Sequence, residues 1–490
     1  MKKVMSIGLI VMVLLFLAAC KGDPTVPTIP TDTGNPTDPT DEYWDQNGNG
    51  IPDWQEEEIT LTYATWQYTQ PDMVTIDLLM IEAFAEKYPN INVEMKVVAE
   101  WYDWDTAFLG LLEANDLPDV FLIQRLGSFL PFNMLADISE MYENDPSTQH
   151  IFESVSGLGT YGGKRFAVPT FIYPTAWFVN LDLLDKASIN KPGYDWTYAQ
   201  MESIARSTTN LTSHEFGLSG CNFYSRVYPK VLKMQEDLVT GRTWYAFGYD
   251  GERFNFDDPV MQTGANKYSE SIQQGYCKPG FSPEELEEWY ADPTFVPTYG
   301  GKVAIWPEAT WSAKDYFDSF TFNWDVYPGP GGVTGGNTDI GGVSSLSQHK
   351  QAAYQLLKWM SFGEDGLLKR FEIYADVGQE LFQQGNNFPY PIIDYGIDGQ
   401  GVNKVWEAIP YGGVAPGFVS PEFVEGLRNG AFWANKEVIG WDAVDSATGP
   451  YFVEIMNGTN TYAALKDMIQ AAANAALNEA QQAMKDMIGF

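Results

Sequence analysis

The chain has 490 residues, of which 65 are acidic and 29 are basic, and its formal net charge is −36. This length exceeds what one compact core accommodates, so we expect two domains. The charge argues against nucleic acid or an anionic membrane surface as a partner, and it disfavours a strongly anionic ligand. The aromatic fraction of 15% supplies Trp and Tyr side chains for a core or for a binding cleft.

The first 19 residues have the pattern of an export signal. Two lysines precede an apolar run from Val4 to Leu17, which is too short to span a membrane. The run ends in Leu-Ala-Ala before Cys20, and this sequence resembles the bacterial lipobox. We therefore predict a signal peptide over 1–19 and lipidation at Cys20. Such a chain is anchored to the cell membrane on its extracytoplasmic face.

Residues 20–42 are rich in Pro, Thr and Asp and contain almost no large apolar side chain. A segment of this composition cannot bury a core, and it is typical of a disordered, extended tether. We expect it to hold a folded body away from the membrane.

Residues 43–58 contain a match to the twelve-residue loop of an EF-hand, in which oxygen atoms surround Ca²⁺. Gly50 permits the sharp turn at position six, whereas Pro52 at position eight departs from the helix-flanked hand. The segment more closely resembles the single calcium loops of dockerin and thrombospondin type 3 repeats. We expect a structural calcium clasp between tether and body, with a solvated turn cluster as the alternative. The predicted ligands are Asp45, Asn47, Asn49, Ile51 through its carbonyl, Asp53 and Glu56.

From Ile59 the pattern alternates between strands and helices. We predict strands over 59–64, 91–98 and 118–123, and helices over 75–88 and 103–114. The order β-α-β-α-β predicts an α/β fold with a mainly parallel sheet. At the other end of the chain, the Ala-rich and amphipathic stretch 462–488 predicts a helix that covers one lobe.

Several motifs along the chain together resemble one protein family. They are Trp66 followed by a helix that ends in Lys-Tyr-Pro-Asn-Ile at 87–91, Asn-Asp-Leu-Pro-Asp-Val at 115–120, Tyr-Gly-Gly-Lys-Arg-Phe-Ala-Val-Pro at 161–169, Trp-Phe-Val-Asn-Leu-Asp-Leu-Leu at 177–184, and Gly-Gly-Lys-Val-Ala-Ile at 300–305 followed by Trp311. In this order they resemble the extracellular solute-binding proteins of carbohydrate ABC importers, the maltose-binding-protein-like group. The resemblance covers roughly residues 59–490.

The resemblance implies a two-lobed, periplasmic-binding-protein-like α/β fold with discontinuous lobes and a hinge. One lobe would comprise 59–170 and 329–390, and the other 171–328 and 391–490, with crossings near Thr170, Tyr327 and Tyr390. It also implies that the chain is not an enzyme. The protein would be a monomer that captures a sugar or oligosaccharide and delivers it to the permease subunits of an importer.

A sugar offers apolar C–H faces and a rim of hydroxyl groups, so its site needs aromatic rings and polar side chains. In α/β sheets such groups lie on loops after the strands. For the aromatic residues the alternative is packing in the core, which we expect for Trp177. For the two glutamates the alternative is a solvated loop acid, and for Arg125 it is a structural ion pair. The candidate ligand-binding residues are Trp66, Tyr68, Glu100, Trp101, Gln124, Arg125, Tyr173, Asn222, Tyr224, Trp306, Glu308 and Trp311.

Two other functions remain as alternatives. A lipid-anchored glycoside hydrolase also combines aromatic residues with carboxylates, and a surface adhesion protein could depend on the calcium loop. The histidines at 150, 214 and 349 have no metal-ligand spacing. Cys221 and Cys277 are compatible with a disulfide or with two buried thiols.

Overall fold

The computed structural model describes residues 41–488, except 72, 313–318, 383–388, 394–403, 414 and 457. The predicted signal peptide, Cys20 and the tether up to residue 40 lie outside the described residues. The strands are β1 Ile59–Ala64, β2 Ile91–Met95, β3 Val120–Ile123, β4 Thr160–Tyr161, β5 Lys164–Arg165, β6 Val168–Asn180, β7 Phe216–Ser219, β8 Cys277–Lys278, β9 Val303–Ala309, β10 Trp324–Tyr327, β11 Gly335–Val343 and β12 Ala431–Trp433.

The longer helices lie between and after these strands. They are α1 Ile76–Lys87, α2 Trp104–Glu113, α3 Tyr198–Thr208, α4 Tyr228–Glu236, α5 Pro259–Gln273, α6 Pro283–Tyr290, α7 Lys350–Met360, α8 Glu364–Phe382, α9 Pro421–Arg428, α10 Trp441–Met456 and α11 Tyr462–Ile488. Short helices are Asp41–Trp44, Leu126–Phe129, Ser139–Glu143, Glu153–Ser156, Leu181–Lys186, Phe223–Arg226, Leu238–Arg242 and Lys404–Glu407.

The predicted elements at the start of the folded body are confirmed, with shifts at their ends. Helix α1 begins after Thr75, whose hydroxyl accepts a hydrogen bond from the amide of Leu78 at 3.1 Å and so caps the helix. Strand β2 ends at Met95, earlier than predicted, and β3 begins at Val120 rather than at the preceding proline. The helix predicted over 462–488 matches α11.

Ten strands form one sheet with the central order β2-β1-β3-β11-β6-β9-β7-β8. Strand β1 is parallel to β2 and β3 at one end, and β7 is parallel to β8 and β9 at the other. The expectation of a mainly parallel sheet is therefore correct for the two ends. In the middle it is wrong, because β11 is antiparallel to β3 and β6, and β6 is antiparallel to β9.

Strand β6 connects the two halves of the sheet. Its first half pairs with β11 over 168–175, and its second half pairs with β9 over 175–179. All thirteen of its residues are buried, including Trp177, whose predicted packing role is confirmed by an exposed fraction of 1%. This shared strand lies where the first crossing was expected, while the predicted lobe boundaries stay a prediction.

Two further connections stabilise the arrangement. Cys221 and Cys277 form a disulfide with a Cα–Cα distance of 6.2 Å, which decides between the two alternatives left by the sequence. Helix α11 contacts both halves, since the side-chain oxygen of Asn474 accepts from the amide of Phe254 at 3.1 Å and the Tyr161 hydroxyl donates to the carbonyl of Gln481 at 3.2 Å. It is thus a brace across both halves rather than the cover of one lobe.

Candidate ligand-binding site

Two tryptophans form an aromatic platform at the ends of adjacent strands. Trp66 follows β1 and Trp101 follows β2, and their ring centroids are 4.7 Å apart in an edge-to-face arrangement. Trp104 is fully buried and packs 5.5 Å from Trp66, so it supports the platform from below. The side-chain amide of Gln124 donates to the carbonyl of Trp101 at 2.8 Å. Trp66 and Trp101 are only half-buried and therefore have ring surface available for a ligand.

A buried ion pair lies beside this platform. The ammonium group of Lys436 is 5.3 Å from the ring centroid of Trp66 and 5.0 Å from that of Trp101, within cation–π range. The same ammonium pairs with the carboxylate of Asp339 on β11, and both residues are less than a tenth exposed. The carbonyl of Lys436 accepts from the amide of Leu126 at 2.7 Å, which fixes the segment relative to the first half of the sheet.

A second pair of predicted aromatic residues lies near Asp339. The ring of Tyr173, on β6, is 5.9 Å from that of Trp311, which is 37% exposed. Burial raises the pKa of Tyr173 well above its ordinary value, and the carboxylate of Asp339 raises it further. Asp339 therefore acts electrostatically on Tyr173 while it pairs with Lys436. Because Tyr173 is 5% exposed, only Trp311 of this pair offers ring surface to a ligand.

A separate cavity of about 320 Å³ lies against α10 and is lined by a different set of residues from the platform. Asn222 lines it together with Trp441, whose ring is 5.6 Å from Phe247. At the start of α10, the Nε atom of Arg125 is 3.6 Å from a carboxylate oxygen of Asp442. Arg125 thus contacts the first turn of α10, and Asn222 lines the same cavity as Trp441 of that turn.

Several predicted contacts are placed elsewhere. Trp306 is 2% exposed and stacks on Phe178 at 5.6 Å, because its strand position points the ring into the core. Tyr224 is 1% exposed, and its hydroxyl donates to Glu202 at 3.3 Å. The buried Tyr68 donates its hydroxyl to the carbonyl of Pro71. In this structure these three side chains have no ring surface to offer a ligand, and we leave them out of the site.

The two predicted acids lie at different depths. Glu308 is half-buried on β9, opposite Ala176, and accepts a hydrogen bond from the amide of Ala309 at 3.0 Å. Glu100 is exposed, immediately before Trp101. Both are therefore accessible as hydroxyl acceptors.

Sequence reasoning missed Lys436, Asp339 and Trp441. Asp339 was missed because it lies within an antiparallel strand, whereas sequence reasoning considered loops that follow parallel strands. Its ion-pair partner, Lys436, is 97 residues away in the sequence. A signal was present nonetheless, because Asp339 is the one charged residue of a Gly-rich strand, Gly335–Val343, that is otherwise neutral.

The predicted calcium loop folds back on itself. Asp45 accepts from the amides of Asn49 and Gly50 at 3.1 and 2.7 Å, and Gly50 has φ +84. The Asn47 side-chain amide donates to both oxygens of Glu56 at 3.0 Å. The loop brings together side chains that fit an oxygen-ligand site, namely those of Asp45, Asn47, Asn49, Asp53 and Glu56. At its centre, however, the side-chain amides of Asn47 and Asn49 donate hydrogen bonds to the carboxylates of Asp53 and Glu56. Within the described ranges, no three His, Cys, Asp or Glu side chains are grouped as a metal site.

None of the helices in the described part of the chain combines the length and the hydropathy needed to cross a membrane.

The fold and the site define a two-lobed solute-binding protein. Residues 66–362 match the bacterial extracellular solute-binding protein family, and the chain belongs to that family. A curated relative, the arabinooligosaccharide-binding protein of Bacillus subtilis (strain 168), is 21% identical over 312 residues, which are 60% of this chain and 68% of the relative.

Solved structures of similar fold cover most of the chain. An ABC substrate-binding protein from Listeria monocytogenes in complex with cycloalternan has a TM-score of 0.55 and 19% identity, covering 89% of this chain and all of that one (100%). The cyclic alpha-maltosyl-1,6-maltose binding protein from Arthrobacter globiformis has a TM-score of 0.62 and 15% identity. The match covers 86% of this chain and 100% of that one. These likenesses confirm the expected two-lobed α/β fold.

Proposed function

We propose that this chain captures a sugar or short oligosaccharide between its lobes and delivers it to the permease of an ABC importer. The observation that carries the proposal is the half-buried pair of Trp66 and Trp101 around the Lys436 ammonium. Indole rings stack on the C–H faces of a sugar ring, and a neighbouring ion pair supplies a donor and acceptors for its hydroxyls. The similar proteins named above bind arabinooligosaccharide, cycloalternan and cyclic alpha-maltosyl-1,6-maltose, which supports this class of ligand.

The proposed site has two parts. The platform with Lys436 and Asp339 would hold one sugar ring, and the cavity beside Trp441 would hold a following ring. Arg125, Asn222 and Glu308 would bind hydroxyl groups at the edges. Because residues of both halves form the site, a bound ligand would bring the two halves together. The importer would then distinguish this closed, liganded conformation from the open, unliganded one.

We propose binding without turnover, because members of this family are binding proteins. The hydrolase and adhesion alternatives receive no support from the family assignment. The monomeric state and the lipid anchor at Cys20 belong to the same proposal. They rest on the sequence alone.

Calcium at residues 45–56 is a further part of the proposal, as a structural clasp. The loop is attached to the body on both sides, which supports this role. Trp44 stacks on Tyr354 at a centroid distance of 5.8 Å, and the 7% exposed Trp54 packs 5.1 Å from Tyr88. The side-chain amide of Asn90 donates to the carbonyl of Trp54 at 3.2 Å. When bound, Ca²⁺ would replace the Asn–Glu hydrogen bonds at the centre of the loop with coordination by oxygens.

The decisive experiment is calorimetric titration with arabino-, malto- and cello-oligosaccharides, followed by chromatography of the recovered sugar. We expect one class to bind with a stoichiometry of one and to be recovered intact. Shortened products would favour the hydrolase. Absence of binding by every glycan, with the protein folded, would overturn the sugar proposal.

A further inference from the structure

A second cavity lies between the two halves of the molecule, on a different set of residues from the proposed sugar site. It measures about 380 Å³, toward the lower end of the roughly 300–1,000 Å³ typical of ligand pockets. Four segments enclose it: the glycine-rich turn 157–162, the loop 245–252, residues 434–439 and the end of α11. The sugar proposal assigns none of these lining residues a role.

Glu437 lines the inner wall of this cavity, and none of the ion pairs among the described residues includes its carboxyl group. Glu437 is 6% exposed, and within the described part of the chain neither of its oxygens accepts a hydrogen bond, although its own amide and that of Lys436 lie near enough to favour its ionised form. The cation that acts on it, Lys436, is already paired with Asp339. A buried, unpaired carboxylate is costly, so this group stays protonated unless a cation accompanies its ionisation, and the site can accept one positive charge.

The other charged side chains around the cavity do not place a positive charge beside Glu437. Glu252 and Lys485 line its edge and are both exposed to solvent. Arg165 donates to the carbonyls of Ser156 and Leu158 at 2.7 and 2.9 Å instead of pairing with a carboxylate here.

Aromatic rings complete the lining. Tyr161, Tyr245 and Tyr249 face the cavity, and the rings of Tyr245 and Tyr249 are 5.9 Å apart. Tyrosine faces attract cations through the ring quadrupole, and several rings around one carboxylate are the usual surroundings of an organic ammonium ion. A bare metal ion fits less well, because Ca²⁺ or Zn²⁺ needs several ligands and no group of three such side chains is found among the described residues.

The geometry points to a second binding site at Glu437, between the lobes, for a small organic ammonium ion. The ammonium would lie against the Glu437 carboxylate, with the Tyr245 and Tyr249 rings at its sides. Because the ligand contacts both lobes, its binding also holds them in the arrangement described here. The raised pKa of Glu437, about 8, is what an uncompensated buried carboxyl produces, and a bound cation would lower it.

The test is calorimetric titration of the full chain with choline, ethanolamine and methylammonium. The control ligand is 3,3-dimethylbutan-1-ol, which has the shape of choline without its charge. We expect at least one of the three cations to bind once per chain, and the neutral control to bind about tenfold more weakly or not at all. Affinity should increase from pH 6 to pH 9 as Glu437 ionises.

Matched variants separate a site from nonspecific attraction to an acidic protein. Glu437→Gln should weaken binding by about tenfold or more, whereas Glu113→Gln, at an exposed helix end, should not. Tyr245→Phe should retain binding and Tyr245→Leu should lose it, provided that both fold. Failure of all three cations to bind, or binding that Glu437→Gln leaves unchanged, overturns the inference. A Trp66→Ala variant should still bind the cation, so this outcome is independent of the sugar site.

Discussion

Lys436 and Glu437 are consecutive in the chain and belong to two different sites. Lys436 reaches Asp339 between two tryptophans, whereas Glu437 lies unpaired among tyrosines. Opposite charges on adjacent residues could have formed one pair, but the chain turns at 435–437, where the amide of Val438 donates to the carbonyl of Ala434 at 2.9 Å, and the two side chains have different surroundings. The short stretch 434–439 is therefore the wall between the proposed sugar site and the interlobe cavity.

The first prediction concerns the tryptophan platform. Trp66→Ala and Trp101→Ala should each weaken oligosaccharide binding by about ten- to a hundredfold, because each removes a stacking face. Titration calorimetry measures the change. The matched control is Trp289→Ala, a half-buried tryptophan that stacks on His214 at 4.9 Å, outside the proposed site. Equal losses in the platform variants and the control would contradict the assignment.

The second prediction concerns the Lys436–Asp339 pair. Lys436→Met leaves a buried carboxylate without a partner and should lower the free energy of unfolding by about 3–5 kcal/mol. The double variant Lys436→Met/Asp339→Leu should recover most of that loss. Urea unfolding gives the values. Lys369→Met, which breaks the exposed pair with Glu372, should cost about 1 kcal/mol or less. A double variant as unstable as the single one would show that the pair is not the cause.

The third prediction is a pH dependence of stability from Glu437. Burial raises the pKa of Glu437 from its ordinary 4.5 to about 8. Between these values the carboxyl is protonated in the folded chain and ionised in the unfolded chain, so unfolding releases a proton. The contribution of Glu437 to the free energy of unfolding is complete below pH 4.5 and is lost as the pH rises toward 8. The loss is on the order of a few kcal/mol.

Chemical denaturation at pH 5 and pH 8 measures this effect. The wild-type chain should lose stability over that interval relative to Glu437→Gln, whose side chain does not titrate. Parallel pH profiles for the two proteins would show that Glu437 does not titrate in this window.

The fourth prediction concerns calcium. Ca²⁺ that binds only the folded state should raise the melting temperature, with about 2.7 kcal/mol of stabilisation at a hundredfold excess over Kd. EDTA should reverse the shift, and Glu56→Gln should abolish it by removing the ligand at position twelve. Mg²⁺, which demands a smaller octahedral site, is the control ion. An unchanged melting temperature with Ca²⁺ would leave the loop as a hydrogen-bonded turn.

The local elements could be predicted from the sequence because their signals are local. The Thr75 cap, the alternation in β1 and the periodicity of α11 each involve residues a few positions apart. The platform of Trp66 and Trp101 could also be anticipated, since loops after adjacent parallel strands meet at one edge of the sheet. Asp339 and Lys436 could not, because their proximity depends on how β11 and the segment after β12 pair at long range. For the same reason Trp306 could not be distinguished from an exposed ring, since its burial depends on its partner strand.

Thr175 is opposite Gly335 on one neighbouring strand and Ala309 on the other, so a single residue belongs to both halves of the sheet. Because β6 continues through it without a break, a paired strand and not a loose linker joins the halves at this point. We expect their relative motion to twist β6, against the hydrogen bonds on both sides of Thr175. When ligand is added, distances between spin labels on the two halves should accordingly change most for labels far from β6. Labels close to β6 should show little change.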